Sequence, residues 1–324
     1  MTVRSLRGGR AAAVGSALGA LYLIWGSTYL GVMVAIRTMP PLLMSSVRFL
    51  VAGVLLYVWA RRREPAAATA PDGRQWLAAG TTGFALLLLG SGGIAWAEQR
   101  LDSGVAALLG ASIPLWIALL DRALFGSRLS RWAMVGMGIG LAGVFVLVGP
   151  ASNGVNLVGA GAVLISSISW AAGSLHARSS PLPRAPLLTA GMQMIVGGAL
   201  LGVAGIAAGE LRQVHLETVS VWSLVAFGYL VVAGSLLAYP LYQWLLRNAP
   251  TRVVTTHAYV NPAVAVLLGW AVLAEPLTRS TLVAAGAIVV SVLLIVGSRA
   301  VPSRGRVIAF PGVRRAEPAV DQAA

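Results

Sequence analysis

Residues 14–36 read VGSALGALYLIWGSTYLGVMVAI, a run of 23 positions without a charged side chain. A helix rises about 1.5 Å per residue, so this run is long enough to cross the ~30 Å hydrocarbon layer of a bilayer. Arg4, Arg7 and Arg10 precede it, as in a secretory leader, but the apolar run continues past Tyr22, Trp25 and Tyr29. That exceeds the apolar core of such a leader. It reads as an uncleaved first membrane helix.

The pattern recurs along the chain, at 41–60, 76–97, 104–125, 132–149, 157–177, 186–208, 220–245, 252–274 and 280–298, with short connections. The hydrophobic set makes up 57% of the 324 residues and charged residues 10%, with a mean hydropathy of +0.81. Soluble domains carry about 25% charged residues, so lipid is the solvent for most of this surface. The expected fold is an all-α integral membrane protein with ten transmembrane helices.

Composition excludes several classes of function. The net charge is +14, but the basic residues punctuate apolar runs instead of gathering on one polar face, so no nucleic-acid partner is expected. Cysteine is absent, which removes disulfides, thiolate metal sites and a cysteine nucleophile. All 24 basic residues are arginine, and without lysine there is no phosphate-binding Gly-x-x-x-x-Gly-Lys loop. No cofactor is expected; the partners are lipid and a small-molecule substrate.

Short loops that keep their basic residues lie on the cytoplasmic side. With the N-terminus inside, 19 arginines fall on the inner side, Arg37, Arg100, Arg212 and Arg279 outside, and Arg48 within a span. Acidic residues split five and five. Both termini are therefore expected in the cytoplasm of a bacterial cell, with the chain multi-pass in the inner membrane.

The two halves of the chain repeat each other. At an offset of 145, Trp25 meets Trp170, Pro41 meets Pro186, and Leu42 and Leu43 meet Leu187 and Leu188. At an offset of 148, Trp96 meets Trp244, Pro114 meets Pro262 and Arg131 meets Arg279. Five spans per half is an odd number, so equivalent helices cross in opposite senses. Inverted repeats are the architecture of many secondary transporters, with the binding site at the repeat interface. The expected organisation is a cytoplasmic segment 1–13, a first five-helix repeat 14–149, a connection 150–156, a second repeat 157–298, and a basic tail 299–324 expected to be disordered.

Leu23-Ile24-Trp25-Gly26-Ser27-Thr28-Tyr29, Arg48-Phe49-Leu50, Ala97-Glu98-Gln99, Ser103 to Leu109 with Pro114, Ala258-Tyr259-Val260-Asn261-Pro262 and Glu275-Pro276-Leu277-Thr278 occur in that order. Together they resemble the EamA-type drug/metabolite transporters, in the ten-helix exporter group. The resemblance covers residues 15 to 298 and implies a central cavity between the halves and export of amino acids, metabolites or drugs. Ser127 stands where the second half has Glu275, a departure that puts a symmetric role for that carboxylate in doubt.

Candidate site residues follow from polarity inside apolar runs. Arg48 lies within the second span, where an ionisable group is read as functional by default or as snorkelling to the interface; its repeat equivalent is Gln193. Trp25, Tyr29, Trp96, Trp116, Trp170, Tyr239, Tyr242 and Tyr259, with Gln243, are candidates for a pocket wall or for packing. His257 and Asn261 share a helix face at i, i+4, with Pro262 freeing a carbonyl; interhelical hydrogen bonding is the alternative. The equivalent first-half positions are Leu109 and Ile113, so the cavity is expected to be polar on one side. Glu98, His257 and Glu275 are candidates for gating or coupling, Glu98 alternatively in an interfacial ion pair with Arg100. An intramembrane serine enzyme using Ser91 with His176 or His257 is the competing class.

Overall fold

The computed structural model describes residues 3–64, 69–126, 130–148, 155–249, 251–254 and 256–297. The expected basic tail at 299–324, most of the 150–156 connection and Ser127 lie outside the described residues. All regular structure is helical, and no strand occurs among the described residues.

The helices are α1 (Val3–Ala35), α2 (Pro41–Arg63), α3 (Gly73–Ala97), α4 (Ser103–Phe125), α5 (Arg131–Val148), α6 (Leu157–Ser179), α7 (Pro186–Ala207), α8 (Val221–Asn248), α9 (His257–Leu273) and α10 (Arg279–Gly297). Seven of them, α1 to α4 and α6 to α8, are long and apolar enough to cross a bilayer. The apolar parts of α5, α9 and α10 are shorter, at 10–17 residues. The protein is thus a multi-span integral membrane protein. Its outer faces carry Trp59, Trp132, Phe145, Val203 and Trp222, all exposed, as a lipid-facing surface requires.

Local chemistry sets the helix ends. Pro41 and Pro186 open α2 and α7 at the first turn, where a missing N–H costs nothing. Asp72 and Gln75 form a reciprocal capping box at the start of α3. Asn156 accepts from Gly159 N at 2.9 Å to start α6. Two helices lose the α register midway: α3 is π-helical over Phe84–Gly92 and α8 over Leu230–Ala238. α4 is broken by a turn at residues 111–112.

α2 lies against α7, and α5 against α10. α1 packs on α8 and α9, while α6 packs on α3 and α4. Close approach of α2 and α7 depends on glycine. A Cβ on Gly53 would stand 2.8 Å from Ile195 N, and one on Gly191 2.7 Å from Tyr57 N, distances no side chain tolerates without backbone movement.

Carboxylates beyond the helix ends tie these elements together. Glu210, just past α7, accepts from Leu42 N at 3.2 Å and Leu43 N at 2.8 Å at the start of α2. Glu64, just past α2, faces the backbone N–H groups of Leu187 and Leu188 at the start of α7. Glu275, past α9, accepts from Ser103 N at 2.8 Å and Gly104 N at 3.0 Å at the start of α4. Glu210 and Glu275 thereby satisfy orphan donors, and all three anions sit at the positive end of a helix dipole.

Candidate functional site

A cavity opens where α1, α2, α3, α4, α6, α8 and α9 converge. About 110 Å³ of it is open to the centre of a water molecule, against about 10–15 Å³ for a single water on that measure. The space is sized for an organic molecule. The helices that frame it bring their small residues inward, so that Gly110, Ala111 and Gly234 leave the room that larger side chains would fill.

Its wall is aromatic. Trp25 meets Trp170 edge to face with ring centroids 5.8 Å apart, Tyr242 at 4.9 Å and His257 at 5.1 Å. The edge-to-face contacts with Trp170 and His257 put the positive edge of one ring on the negative face of another. Trp25, Trp170 and His257 border the open space, whereas Tyr242 stands behind them.

Two charged side chains face this space. Arg48 is 8% exposed; its Nε donates to Ser235 Oγ at 2.8 Å, and its guanidinium lies 4.7 Å from the centre of the Phe49 ring. A Cβ on Gly234 would stand 2.7 Å from Arg48 Nη2, so glycine there makes room for the guanidinium. Glu98 is 2% exposed and neither carboxylate oxygen has a hydrogen-bond partner. Arg48 and Glu98 interact electrostatically across the cavity but form no salt bridge among the described residues. Asn261 adds a buried Oδ1 without a partner, while its Nδ2 pairs with His257 Nδ1 at 3.4 Å.

With this geometry in place, the comparisons with known proteins decide the family. The EamA-like transporter family matches over residues 14–149 and again over 157–297. The chain belongs to it. It is 39% identical over 280 residues to the inner membrane transporter YedA of Escherichia coli (strain K12), covering 86% of this chain and 89% of that protein. It is 28% identical over 269 residues to protein PecM of Dickeya dadantii, covering 80% and 84% of the two chains. With a probable amino-acid metabolite efflux pump of Salmonella typhimurium it shares 25% over 283 residues, covering 83% and 89%. A crystal structure with 19% identity aligns at a TM-score of 0.61, over 88% of this chain and 96% of that one, a likeness of fold alone.

For this EamA-family chain, the sequence reading and the site geometry coincide in part. Trp25, Tyr29, Arg48, Trp170, Tyr239, His257, Asn261 and Glu98 all border the cavity. Others among the candidates do not. Gln193 is fully buried in a closed network, donating to Thr82 Oγ1 at 2.9 Å and accepting from Tyr239 at 2.8 Å and Gln243 at 3.1 Å. Trp116 donates to Ser112 Oγ at 3.0 Å, and Trp96 stacks under the Arg100 guanidinium at 3.9 Å. Glu275 caps α4. The side chain of Tyr259 lies outside the described residues.

The expected interfacial pair of Glu98 with Arg100 does not form: Arg100 turns to Trp96, and Glu98 turns inward. Arg48 likewise points into the cavity instead of snorkelling. Ser91 borders the cavity, but His176 is bonded to Thr81 at 3.2 Å and His257 to Asn261. Sequence reasoning missed Thr28, Phe49, Gly110 and Gly234 as cavity residues. The glycines gave no signal because the chain has 38 of them.

Proposed function

We propose that this chain is a ten-helix secondary transporter of the bacterial inner membrane, exporting small metabolites, amino acids or drugs through the central cavity. Two inverted halves, 14–149 and 157–298, carry the cavity between them, with both termini cytoplasmic. One observation carries this reading: Trp25 and Trp170, which the repeat offset pairs, meet edge to face beside a cavity bordered by Arg48 and Glu98. Packing supports it further, since α1 on α9 has its counterpart in α6 on α4, and α1 on α8 in α6 on α3. So do the carboxylates past α2 and α7, each of which meets the start of the other helix. Two related halves that exchange conformations convert an inward-open site into an outward-open one. The name of the Salmonella relative supports efflux.

Facilitative uniport or exchange is the second reading, favoured by the absence of any carboxylate from the described mid-span positions, where one could relay protons. The test is growth protection. Cells overproducing the chain are challenged with toxic amino acids, their analogues and drugs, and the protecting compound is then followed in proteoliposomes with and without a proton gradient. Export predicts protection and solute movement; a gradient-independent flux selects the facilitative reading. Proteoliposomes that move no compound of the panel contradict transport.

A further inference from the structure

Two positions that the repeat pairs are built differently. Arg247, in the last turn of α8, reaches across to the connection between α6 and α7. Its Nη2 donates to Pro183 O at 2.7 Å and to Thr189 Oγ1 at 3.2 Å, and its Nη1 donates to Arg184 O. Thr189 Oγ1 in turn donates to Pro183 O at 2.9 Å. Glu64, past α2, interacts electrostatically with Arg247 while facing the start of α7. Toward the cavity from this clasp the interior is filled. Tyr242 shares a hydrogen bond with the buried Ser174 Oγ at 3.3 Å, the Trp25 ring lies 4.9 Å from that of Tyr242, and Tyr22 is hydrogen-bonded to Thr256.

The offset of 148 that pairs Trp96 with Trp244 also pairs Gln99 with Arg247. The offset of 145 that pairs Pro41 with Pro186 also pairs Thr38 with Pro183 and Met39 with Arg184. These counterparts stand apart. Gln99, Thr38 and Met39 line a gap, about 360 Å³ of which is open to the centre of a water molecule. Among the described residues the Gln99 side chain has one hydrogen bond, from Arg100 Nη1 at 3.4 Å. Pro183 is buried, whereas Thr38 is partly exposed. Clasp and gap lie at opposite ends of α2, whose 23 residues rise about 35 Å: Glu64 follows its last turn, and residues 36–40 precede its first. The cavity lies toward the gap. Its wall takes Trp25 to Val32 from the last three turns of α1, Arg48 and Phe49 from the first three of α2, and Glu98, the neighbour of Gln99.

A cationic clasp and a neutral counterpart do not hold equally. A hydrogen bond from an ionised donor is roughly twice as strong as a neutral one, and a guanidinium offers five N–H donors against two for a carboxamide. Separating α8 from residues 183–189 therefore costs more than keeping Gln99 away from residues 38–39.

We propose that Arg247 is a latch that holds one end of the transporter shut, and that Gln99 is its weaker counterpart, closing on the carbonyls of Thr38 and Met39 when the latch releases. The unequal pair sets the resting molecule with its cavity open at the Gln99 end. This rests on the reading of the chain as two inverted halves, and it adds which side chains hold the ends and why one closed end is favoured.

The experiment uses the absence of cysteine from the chain. Ser174→Cys reports opening of the Arg247 end and Thr38→Cys opening of the Gln99 end, each read as the rate of labelling by a water-soluble maleimide in purified full-length protein in detergent. Labelling is expected to be slow at 174 and fast at 38. Arg247→Gln is expected to speed labelling at 174 about tenfold or more, the scale of lost charged hydrogen bonds, and Arg247→Lys to speed it less. Gln99→Arg, at the far end of α2 with the latch intact, is expected to speed labelling at 174 as well, and the two changes together to slow labelling at 38. An Arg247 that only braced its own end would leave labelling at 174 indifferent to position 99. The proposal is overturned if Arg247→Gln or Gln99→Arg leaves the rate at 174 unchanged, or if the double variant labels at 38 as fast as the native pair does. Gln99→Arg decides the matter if Arg247→Gln fails to fold. Labelling requires no substrate, so the two claims separate. Rates that shift as expected in a protein that moves nothing across proteoliposomes keep the latch and remove the transporter, whereas flux with unshifted rates does the reverse.

Discussion

Arg48 stands eight residues into α2, deep enough in an apolar helix that its charge must be answered by the protein. Ser235, the Phe49 ring and the cavity answer it. Replacing Arg48 with Gln is expected to lower flux about tenfold while leaving the amount of protein in the membrane nearly unchanged; transport in vesicles normalised to protein checks this. Gly234→Ala presses a methyl against Arg48 Nη2 and is expected to reduce flux in the same assay, whereas Gly228→Ala, with nothing within 4 Å of its new Cβ, is expected to leave it intact. Arg48, His257 and Asn261 were legible because polarity stands out within an apolar run. Glu98 was legible as a candidate but not in its surroundings. At a span end, sequence cannot tell a carboxylate facing headgroups from one turned inward, and its neighbour Arg100 offered a plausible partner that in fact stacks on Trp96. Gln193 was misplaced for a related reason: polarity identifies a buried hydrogen bonder without saying whether its partners are protein or ligand.

At the scale of elements, glycine governs the closest helix pair. Gly53→Ala and Gly191→Ala are expected to destabilise the protein by about 1–3 kcal/mol through overpacking between α2 and α7. Gly138→Ala and Gly286→Ala, open to space, are expected to be neutral or mildly stabilising, since alanine is the better helix former. Melting temperatures in detergent compare the four. The carboxylate ties make a second prediction. Glu210→Gln removes the anion from the start of α2 and is expected to cost about 0.5–2 kcal/mol, the range of a lost helix cap, with faster amide exchange at Leu42 and Leu43. Pro41 and Pro186 marked helix starts in the sequence. The π-helical segments in α3 and α8 did not show themselves, because a change of hydrogen-bond register alters neither hydropathy nor charge. The helix-capping roles of Glu64, Glu210 and Glu275 join positions far apart in the chain, and spacing along one sequence carries no trace of such contacts.

Across the whole molecule, ten apolar runs and the pairing of Trp25 with Trp170 and of Pro41 with Pro186 point in the sequence to two related halves. Seven helices are long and apolar enough to cross a bilayer, and the apolar parts of three more are shorter. What the account requires above all is that the halves cross the bilayer in opposite senses. The connection after α2 and the connection after α7 then lie on opposite sides. The chain has no cysteine, so single cysteines can be placed at the exposed positions Ala70 and His215 and treated with an impermeant maleimide on intact cells. Labelling at 215 and protection at 70 until the cells are opened is the predicted result. The same outcome at both positions, labelled or protected together, would contradict the inverted architecture, and the opposite pattern would reverse the orientation.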